Sequence, residues 1–267
     1  MNLLAKMPTT ALPISLLKRQ APWPWSRGAG AKRGTSDCPA AAAGRFYTGD
    51  SCPFQWRRKP QRTAESIRNS GGKAEVFIAD LTSDAQTTQL MDAVVEKLGR
   101  IDVLVNSAAM WRPVALENVT ADEVRKNFEL NTLATFLLCK SAGLKMAAQK
   151  SGGAIVNIGD WAITRPYLNY SGYFPSKGAI PTLTRNFAIE LSARNPRVRV
   201  NAVLPGPVML PPDLPAADRA HAIAGTLVKR EGTPEHVADA VHFLICNDFV
   251  TGVCLPVDGG RTICSQE

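Results

Sequence analysis

The fold of this chain is decided by Ala154-Ile155-Val156-Asn157-Ile158-Gly159-Asp160, which is followed after a loop by Tyr173-Phe174-Pro175-Ser176-Lys177. The first run predicts a buried strand that ends at an acid, and the second opens a predicted helix. Tyr173 and Lys177 are four residues apart, so they share one face of that helix. Open α/β sheets build their sites where strands end, which makes Asp160, Tyr173 and Lys177 a candidate chemical site.

The tyrosine–lysine pair has a physical rationale as an acid/base. A phenol that exchanges a proton near neutral pH needs its pKa lowered from about 10. An ammonium one helical turn away favours the phenolate and is therefore expected to lower the pKa of Tyr173. Alternatively, the Tyr-x-x-x-Lys pattern could belong to a solvated helix face without a chemical role. The other motifs of the chain distinguish these two interpretations.

Strands alternate with helices from residue 63 onward, which predicts an α/β fold with a doubly wound parallel sheet covered on both faces. A polar, Pro-rich stretch over residues 211–233 is interpreted as a lid. The predicted strands span residues 74–81, 101–106, 154–158, 198–204 and 253–257. The predicted helices span residues 82–98, 121–146, 174–192 and 234–245, after a helix that ends near residue 69.

The net charge of +8 comes from one end of the chain. Residues 1–62 contain eleven Lys/Arg and two acidic residues, whereas residues 63–267 contain twenty basic and twenty-one acidic ones. The neutral body argues against a nucleic-acid partner. No apolar run has the length of a membrane span, and the cysteines and histidines lack metal-ligand spacing. We expect a cytoplasmic protein with a small-molecule substrate and no bound metal.

Several short motifs together resemble the short-chain dehydrogenase/reductase family. The resemblance covers residues 63–260 and implies a Rossmann-type sheet, a homotetramer, and hydride transfer with NADPH, NADH not being excluded. The motifs, in the family's order and spacing, are Asp80, Asn106-Ser107-Ala108-Ala109, Asn131, Tyr173 with Lys177, Pro205-Gly206, and Asp258-Gly259-Gly260.

The resemblance also implies roles for individual residues. Tyr173 is expected to be the acid, Lys177 to bind the nicotinamide ribose and tune the tyrosine, and Asn131 to hold a relay water. The other expected cofactor contacts are Asp80 and Leu81 by the adenine, Asn106 and Ala108 by the adenosine ribose, and Pro205, Gly206 and Val208 by the nicotinamide.

Asp160 departs from the family pattern, in which this position is usually serine. The substitution resembles the pteridine reductases, and an ionised carboxylate only accepts hydrogen bonds, which suits a substrate with N–H donors such as a pterin. Trp111 could stack on that substrate or merely cap the core. A protonated Asp160 could still serve a ketone, so a reductase of 3-oxoacyl thioesters or another carbonyl stays open.

Residues 1–62 form an atypical basic segment before the expected domain of residues 63–267. A doubly wound domain should begin with a strand, a glycine turn and a helix, yet no apolar strand precedes the glycines of residues 28–34. The segment is expected to be disordered or a frame-shifted reading of a normal N-terminus, because other frames of residues 22–26, 33–39 and 50–56 permit a strand, a glycine loop and a second strand. A transit peptide is one alternative, and an inactive protein that cannot hold the dinucleotide is another.

Overall fold

The computed structural model describes residues 58–69 and 71–264, and within them a parallel four-stranded sheet forms the centre. The strands lie in chain order, β1-β2-β3-β4, and each pairs in parallel with the next. Their bounds are Val103–Asn106 for β1, Gly153–Ile158 for β2, Val198–Pro205 for β3 and Cys254–Val257 for β4. The parallel α/β fold predicted from the sequence is confirmed.

Helices connect the strands at nearly the predicted positions. The predicted lid contains a short helix of its own, α6, which the sequence pattern did not reveal. The helices are α1 (Arg58–Asn69), α2 (Asp84–Leu98), α3 (Ala121–Phe128), α4 (Ala134–Ala148), α5 (Tyr173–Ser192), α6 (Ala216–Ala224) and α7 (Pro234–Cys246).

Both faces of the sheet are covered, as expected for a doubly wound fold. Leu104, Ile155 and Val200 pack on one side against α2, α4 and α5. Val156 and Val203 pack on the other side against α7. Neighbouring positions of a strand therefore enter different cores, because successive side chains point to opposite faces of the sheet.

The predicted strand over residues 74–81 is wrong. Residues 72–80 have no regular secondary structure, although Ala74, Ala79 and Leu81 are buried. A strand needs a hydrogen-bonded neighbour, and among the described residues this segment and the outer edge of β1 have none. Ile78 is 74% exposed, as an apolar strand residue would be if no helix or strand packed over it.

The long helix predicted over residues 121–146 is interrupted by a π-turn at Glu129–Leu133. The backbone N–H of Ala134 donates to the carbonyl of Glu129, five residues earlier, where an α-helix would use four. Asn131 lies inside this turn and its side chain is completely buried. The interruption therefore directs one polar side chain into the protein.

Among the described residues, none of the helices combines the length and apolarity that crossing a bilayer requires.

Candidate active site

Asp160 and Tyr173 form a direct hydrogen bond. Asp160 follows β2 and caps the short 3₁₀ turn Trp161–Ile163, where its Oδ1 accepts from the N–H of Ala162 at 2.8 Å. Its Oδ2 accepts from the Tyr173 hydroxyl at 2.7 Å. Tyr173 begins α5 and is buried, so the sheet edge and the helix start bring the two groups together.

Lys177 lies one turn further along α5 and is almost entirely buried. Its Nζ donates to the carbonyl of Ile158, near the end of β2, at 2.8 Å. Burial lowers the pKa of Lys177 to about 8, against the opposing effect of the Asp160 charge. The ammonium is thus anchored to the sheet.

The expected lowering of the tyrosine pKa does not occur in this structure. Burial and the adjacent Asp160 carboxylate instead raise the pKa of Tyr173 well above its ordinary value. Burial also raises the pKa of Asp160, although the hydrogen bond from Tyr173 acts in the opposite direction. Tyr173 therefore keeps its proton at neutral pH, which suits a proton donor better than a base.

Asn131 joins three parts of the site. Its side chain accepts from the N–H of Met110 at 2.8 Å and donates to the Met110 carbonyl at 3.0 Å. It also donates to Ser176 Oγ on α5 at 3.0 Å. The amide thus ties the loop after β1 to α5, a structural role that the sequence prediction of a relay-water ligand did not include. The relay role stays a prediction.

Trp111 belongs to an aromatic cluster beside the Asp160–Tyr173 pair. Its ring stacks on Tyr170 with centroids 5.2 Å apart and an interplanar angle of 16°. Tyr170 in turn contacts Tyr173 edge-on, at 6.0 Å. Tyr167 contacts both Tyr170 and Phe174 at about 5 Å. Trp111 therefore lines the site, with a protein ring as its present stacking partner.

Asn106 and Ser107, at the carboxyl end of β1, could bind a polar ligand. Asn106 Nδ2 donates to Asn157 Oδ1 at 2.8 Å. Its own Oδ1 and the Ser107 hydroxyl are buried without a hydrogen-bond partner among the described residues. Buried polar atoms are normally paired, so this end of the sheet fits a ligand that carries hydroxyl or amide groups, such as a nucleotide ribose.

Three further residues that were expected to contact the cofactor, Asp80, Leu81 and Ala108, take part in a turn or in the core. Asp80 Oδ1 accepts from the N–H and hydroxyl of Thr82, which closes a turn. Leu81 is fully buried and Ala108 is partly buried in the α2/α4/α5 core. Leu81 thus supports the core here.

Gly206 and Val208 follow β3. A Cβ on Gly206 would lie 2.5 Å from the Cα of Asp258, so glycine after Pro205 permits this close approach. Val208 forms an isolated parallel bridge with Gly232, which closes the base of the lid. The glycine cluster of residues 28–34 lies outside the described residues, as do residues 1–57 as a whole.

Sequence reasoning missed three residues of the site. Tyr170 and Tyr167 extend the aromatic cluster, and the guanidinium of Arg261 lies 4.8 Å from the ring centroid of Trp161. The run Tyr167–Tyr173, with three tyrosines in seven residues just before the helix, was the available signal. No local pattern indicated Arg261, because its contacts are with residues far away in the sequence.

Comparison with known proteins identifies relatives of this chain. A family model described as enoyl-(acyl carrier protein) reductase matches residues 54–262. The chain is 34% identical to 2-(S)-hydroxypropyl-CoM dehydrogenase 3 of Xanthobacter autotrophicus, over 76% of this chain and 82% of that protein. It is 32% identical to the 7alpha-hydroxysteroid dehydrogenase of Escherichia coli K12, over 73% and 77%. It is also 32% identical to the 3-oxoacyl-[acyl-carrier-protein] reductase of Thermotoga maritima, over 72% and 78%.

Solved structures with a similar fold are also found. A 7 alpha-hydroxysteroid dehydrogenase in complex with NADH and 7-oxo glycochenodeoxycholic acid aligns with a TM-score of 0.75 and 26% identity, covering 85% of this chain and 88% of that one. A blue fluorescent protein from a metagenomic library, in complex with NADPH, aligns with a TM-score of 0.72 and 29% identity, covering 83% and 87%.

Proposed function

Because the chain belongs to the short-chain dehydrogenase/reductase family of NAD(P)-dependent oxidoreductases, we propose that it is an NADPH-dependent reductase of a small carbonyl compound. The observation that carries the proposal is the Tyr173 hydroxyl, held 2.7 Å from Asp160 at the end of β2. The cofactor would supply the hydride to the carbonyl carbon. Tyr173 would supply the proton to the oxygen, and the raised pKa of this phenol keeps that proton available at neutral pH.

Asp160 determines when Tyr173 can donate. The phenol has a single O–H, so it cannot donate to Asp160 and to a substrate oxygen at once. When Asp160 takes up a proton, its own O–H becomes a donor and the phenol hydrogen is released for the substrate. The burial that raises the pKa of Asp160 makes this protonated form more accessible.

The pH profile of carbonyl reduction tests this role. Wild-type kcat should rise towards low pH as Asp160 becomes protonated, whereas Asp160→Ser should lack that limb. The other titratable groups close to Asp160 are Tyr173, Lys177, Tyr167 and Tyr170. The pKa of Lys177 is about 8 and those of the three tyrosines are raised above 10, so their effects fall on the alkaline side. Identical acid limbs in the wild type and Asp160→Ser would overturn this role of Asp160.

A pterin is the second candidate substrate. It is favoured by the ionised form of Asp160, which accepts hydrogen bonds and so matches N–H donors. The flat aromatic surface of Trp111 and Tyr170 next to Tyr173 is compatible with a planar ring. Turnover of dihydrobiopterin and of an acetoacetyl thioester, measured side by side by NADPH oxidation, decides between the two. Faster turnover of the pterin would reject carbonyl reduction as the main activity.

For the cofactor, Asn106 and Ser107 are the residues whose unpartnered atoms could hold the adenosine ribose. Lys177 would face the nicotinamide ribose, and Pro205, Gly206 and Val208 would border the nicotinamide. Relatives bind NADH or NADPH, and the preference for NADPH is our proposal. Titration with each nucleotide, followed by its fluorescence, measures the preference, and the absence of binding by either would support an inactive protein.

We also propose an origin for the segment 1–62 and an oligomeric state, both of which were predicted from the sequence. The unpaired edge of β1 among the described residues supports the idea that another reading frame of the segment 1–62 encodes a strand–helix–strand unit. Stop codons in that frame of the gene would refute it. We also propose a cytoplasmic homotetramer. Its self-association, though not its location or the number of copies, is supported by exposed apolar side chains on and before α4, namely Leu133, Phe136 and Leu144. Light scattering after size exclusion measures the assembly.

A further inference from the structure

Two arginines lie beside the aromatic cluster and have no role in the reaction described above. The Arg261 guanidinium lies over the ring of Trp161, 4.8 Å from its centroid, and Trp161 directly follows Asp160. Arg165 Nη1 donates to the carbonyls of Arg261 and Cys264, at 3.2 Å for the former. Arg261 Nη1 donates to the carbonyl of Ala222 in the lid helix α6.

Within the part of the chain that the structure describes, no ion pair neutralises these two cations. Neither forms a salt bridge with any carboxylate in residues 58–69 and 71–264. Asp258 is the acid near Arg261, but its oxygens accept from the N–H of Gly260 at 2.9 Å and from the N–H and hydroxyl of Thr262, both at 2.6 Å. Burial lowers the pKa of Arg261 and the neighbouring charge of Arg165 adds to this effect, whereas Tyr167 and Asp258 act in the opposite direction.

Arg261 is also close to the reacting groups. Tyr167 is near enough to both Asp160 and Arg261 for each charge to affect the pKa of its phenol, and its ring contacts Phe174, next to Tyr173, at 4.9 Å. Asp160 and Arg261 therefore place a carboxyl group and a cation near the same phenol, so this part of the site contains charges of both signs.

Building on the proposed function, we propose that Arg261, assisted by Arg165, binds a carboxylate of the substrate. The substrate would then be an oxo acid whose carbonyl lies at Tyr173 and whose carboxylate lies at Arg261, away from Asp160. A guanidinium has five N–H donors, so Arg261 retains donors for a carboxylate while one nitrogen remains bonded to Ala222. The aromatic rings of Trp161 and Tyr167 would contact the body of the molecule between its two ends.

Equilibrium binding of a matched ligand pair tests the proposal. The probes are 4-acetylbenzoate and 4-acetylbenzamide, which share shape and carbonyl but differ in charge. Isothermal titration with the full chain should show wild type binding the acid roughly tenfold or more tightly than the amide, a typical size for a charge-assisted hydrogen bond. The preference should shrink as sodium chloride is raised, because salt screens the partly exposed cations.

Three variants separate recognition of charge from support of the pocket. Arg261→Gln should lose most of the preference while binding the amide as before, and Arg261→Lys should keep part of it because the charge remains. Arg185→Gln, an exposed arginine on α5, is the matched control and should retain the full preference. Equal weakening of acid and amide in Arg261→Gln would overturn the proposal, since Arg261 would then only support the structure.

The same ligands keep this inference distinct from the proposed activity. Binding needs neither cofactor nor turnover, so a wild type without preference for the acid refutes the carboxylate site directly. If the acid binds selectively but neither it nor an acetoacetyl thioester is reduced with NADPH, carbonyl reduction fails as the function and the carboxylate site stands.

Discussion

Replacement of Lys177 by methionine should make the protein more stable at neutral pH, although it removes a residue of the candidate active site. Methionine has a similar length and no charge. Burial lowers the pKa of Lys177 from 10.5 to about 8. At about 1.4 kcal/mol per pKa unit, the charged form destabilises the folded state by about 3 kcal/mol at pH 7. Loss of the hydrogen bond to Ile158 offsets about 1 kcal/mol, which leaves a net gain of about 2 kcal/mol in the free energy of unfolding.

The direction in which stability changes with pH follows from the lowered pKa of Lys177. Between the folded pKa of about 8 and the unfolded value of 10.5, the unfolded chain holds more protons on Lys177, so wild-type stability rises with pH. The wild type should gain about 2 kcal/mol from this residue between pH 7 and pH 9.5, and Lys177→Met should not. The advantage of the variant should therefore disappear near pH 9.5.

Urea unfolding followed by tryptophan fluorescence at both pH values measures the difference. Lys126→Met, at an exposed position on α3, is the control and should change stability by less than about 0.5 kcal/mol at either pH. An advantage of Lys177→Met that is the same at pH 7 and pH 9.5 would refute the reasoning, as would a variant less stable than the wild type at pH 7. NADPH oxidation by the variant should be lost.

Three further changes have clear expected results. Tyr173→Phe should lower kcat by roughly 100-fold or more, measured by NADPH oxidation, since the proposed proton donor is gone; unchanged turnover would exclude Tyr173 as the acid. Asn131→Ala should lower the free energy of unfolding by about 2–4 kcal/mol in urea, because it leaves the Met110 N–H and carbonyl unpaired, and a loss below about 1 kcal/mol would contradict that role. Gly152→Ala should be more destabilising than Gly99→Ala: both have positive φ, +68° and +84° respectively, but a Cβ at 152 would lie 2.3 Å from the Arg197 carbonyl oxygen, whereas at 99 it meets nothing within 4 Å. Equal losses for the two glycine variants, by thermal unfolding, would count against the clash.

The sequence predicted the sheet well where strand and helix signals were local. The runs at 154–158 and 198–204 became β2 and β3 with shifts of one residue at their ends, because apolar runs bounded by turns mark buried strands strongly. The run at 74–81 is also mostly apolar, but the strand prediction failed there because pairing depends on a neighbouring strand that a local pattern cannot show. Ala74 and Ala79 are buried and Ile78 is exposed, so the segment contains residues typical of a strand but is not paired as one.

The sequence predicted which side chains of the candidate site lie near one another better than it predicted their pKa shifts. Helical spacing was sufficient to place Tyr173 and Lys177 on one face, and the end of β2 was sufficient to place Asp160 nearby. The sign of the tyrosine pKa shift depends on which group contacts the phenol. Spacing suggested Lys177, but the carboxylate of Asp160 is the contact, and the ammonium bonds to a backbone carbonyl. Arg261 was missed because only the tertiary fold brings it to Trp161.

The π-turn at Glu129–Leu133 holds one residue more than an α-helical turn would. A residue in an α-helix turns the chain by about 100°, and a residue in a π-turn turns it by less. Deleting Thr132 would therefore restore regular α-helical winding while α3 and α4 keep nearly their present orientation about the helix axis. The deletion would instead remove the widened turn that holds Asn131 at Met110 and Ser176. The extra residue thus serves to position one buried amide, and the two helices do not need it for their own packing.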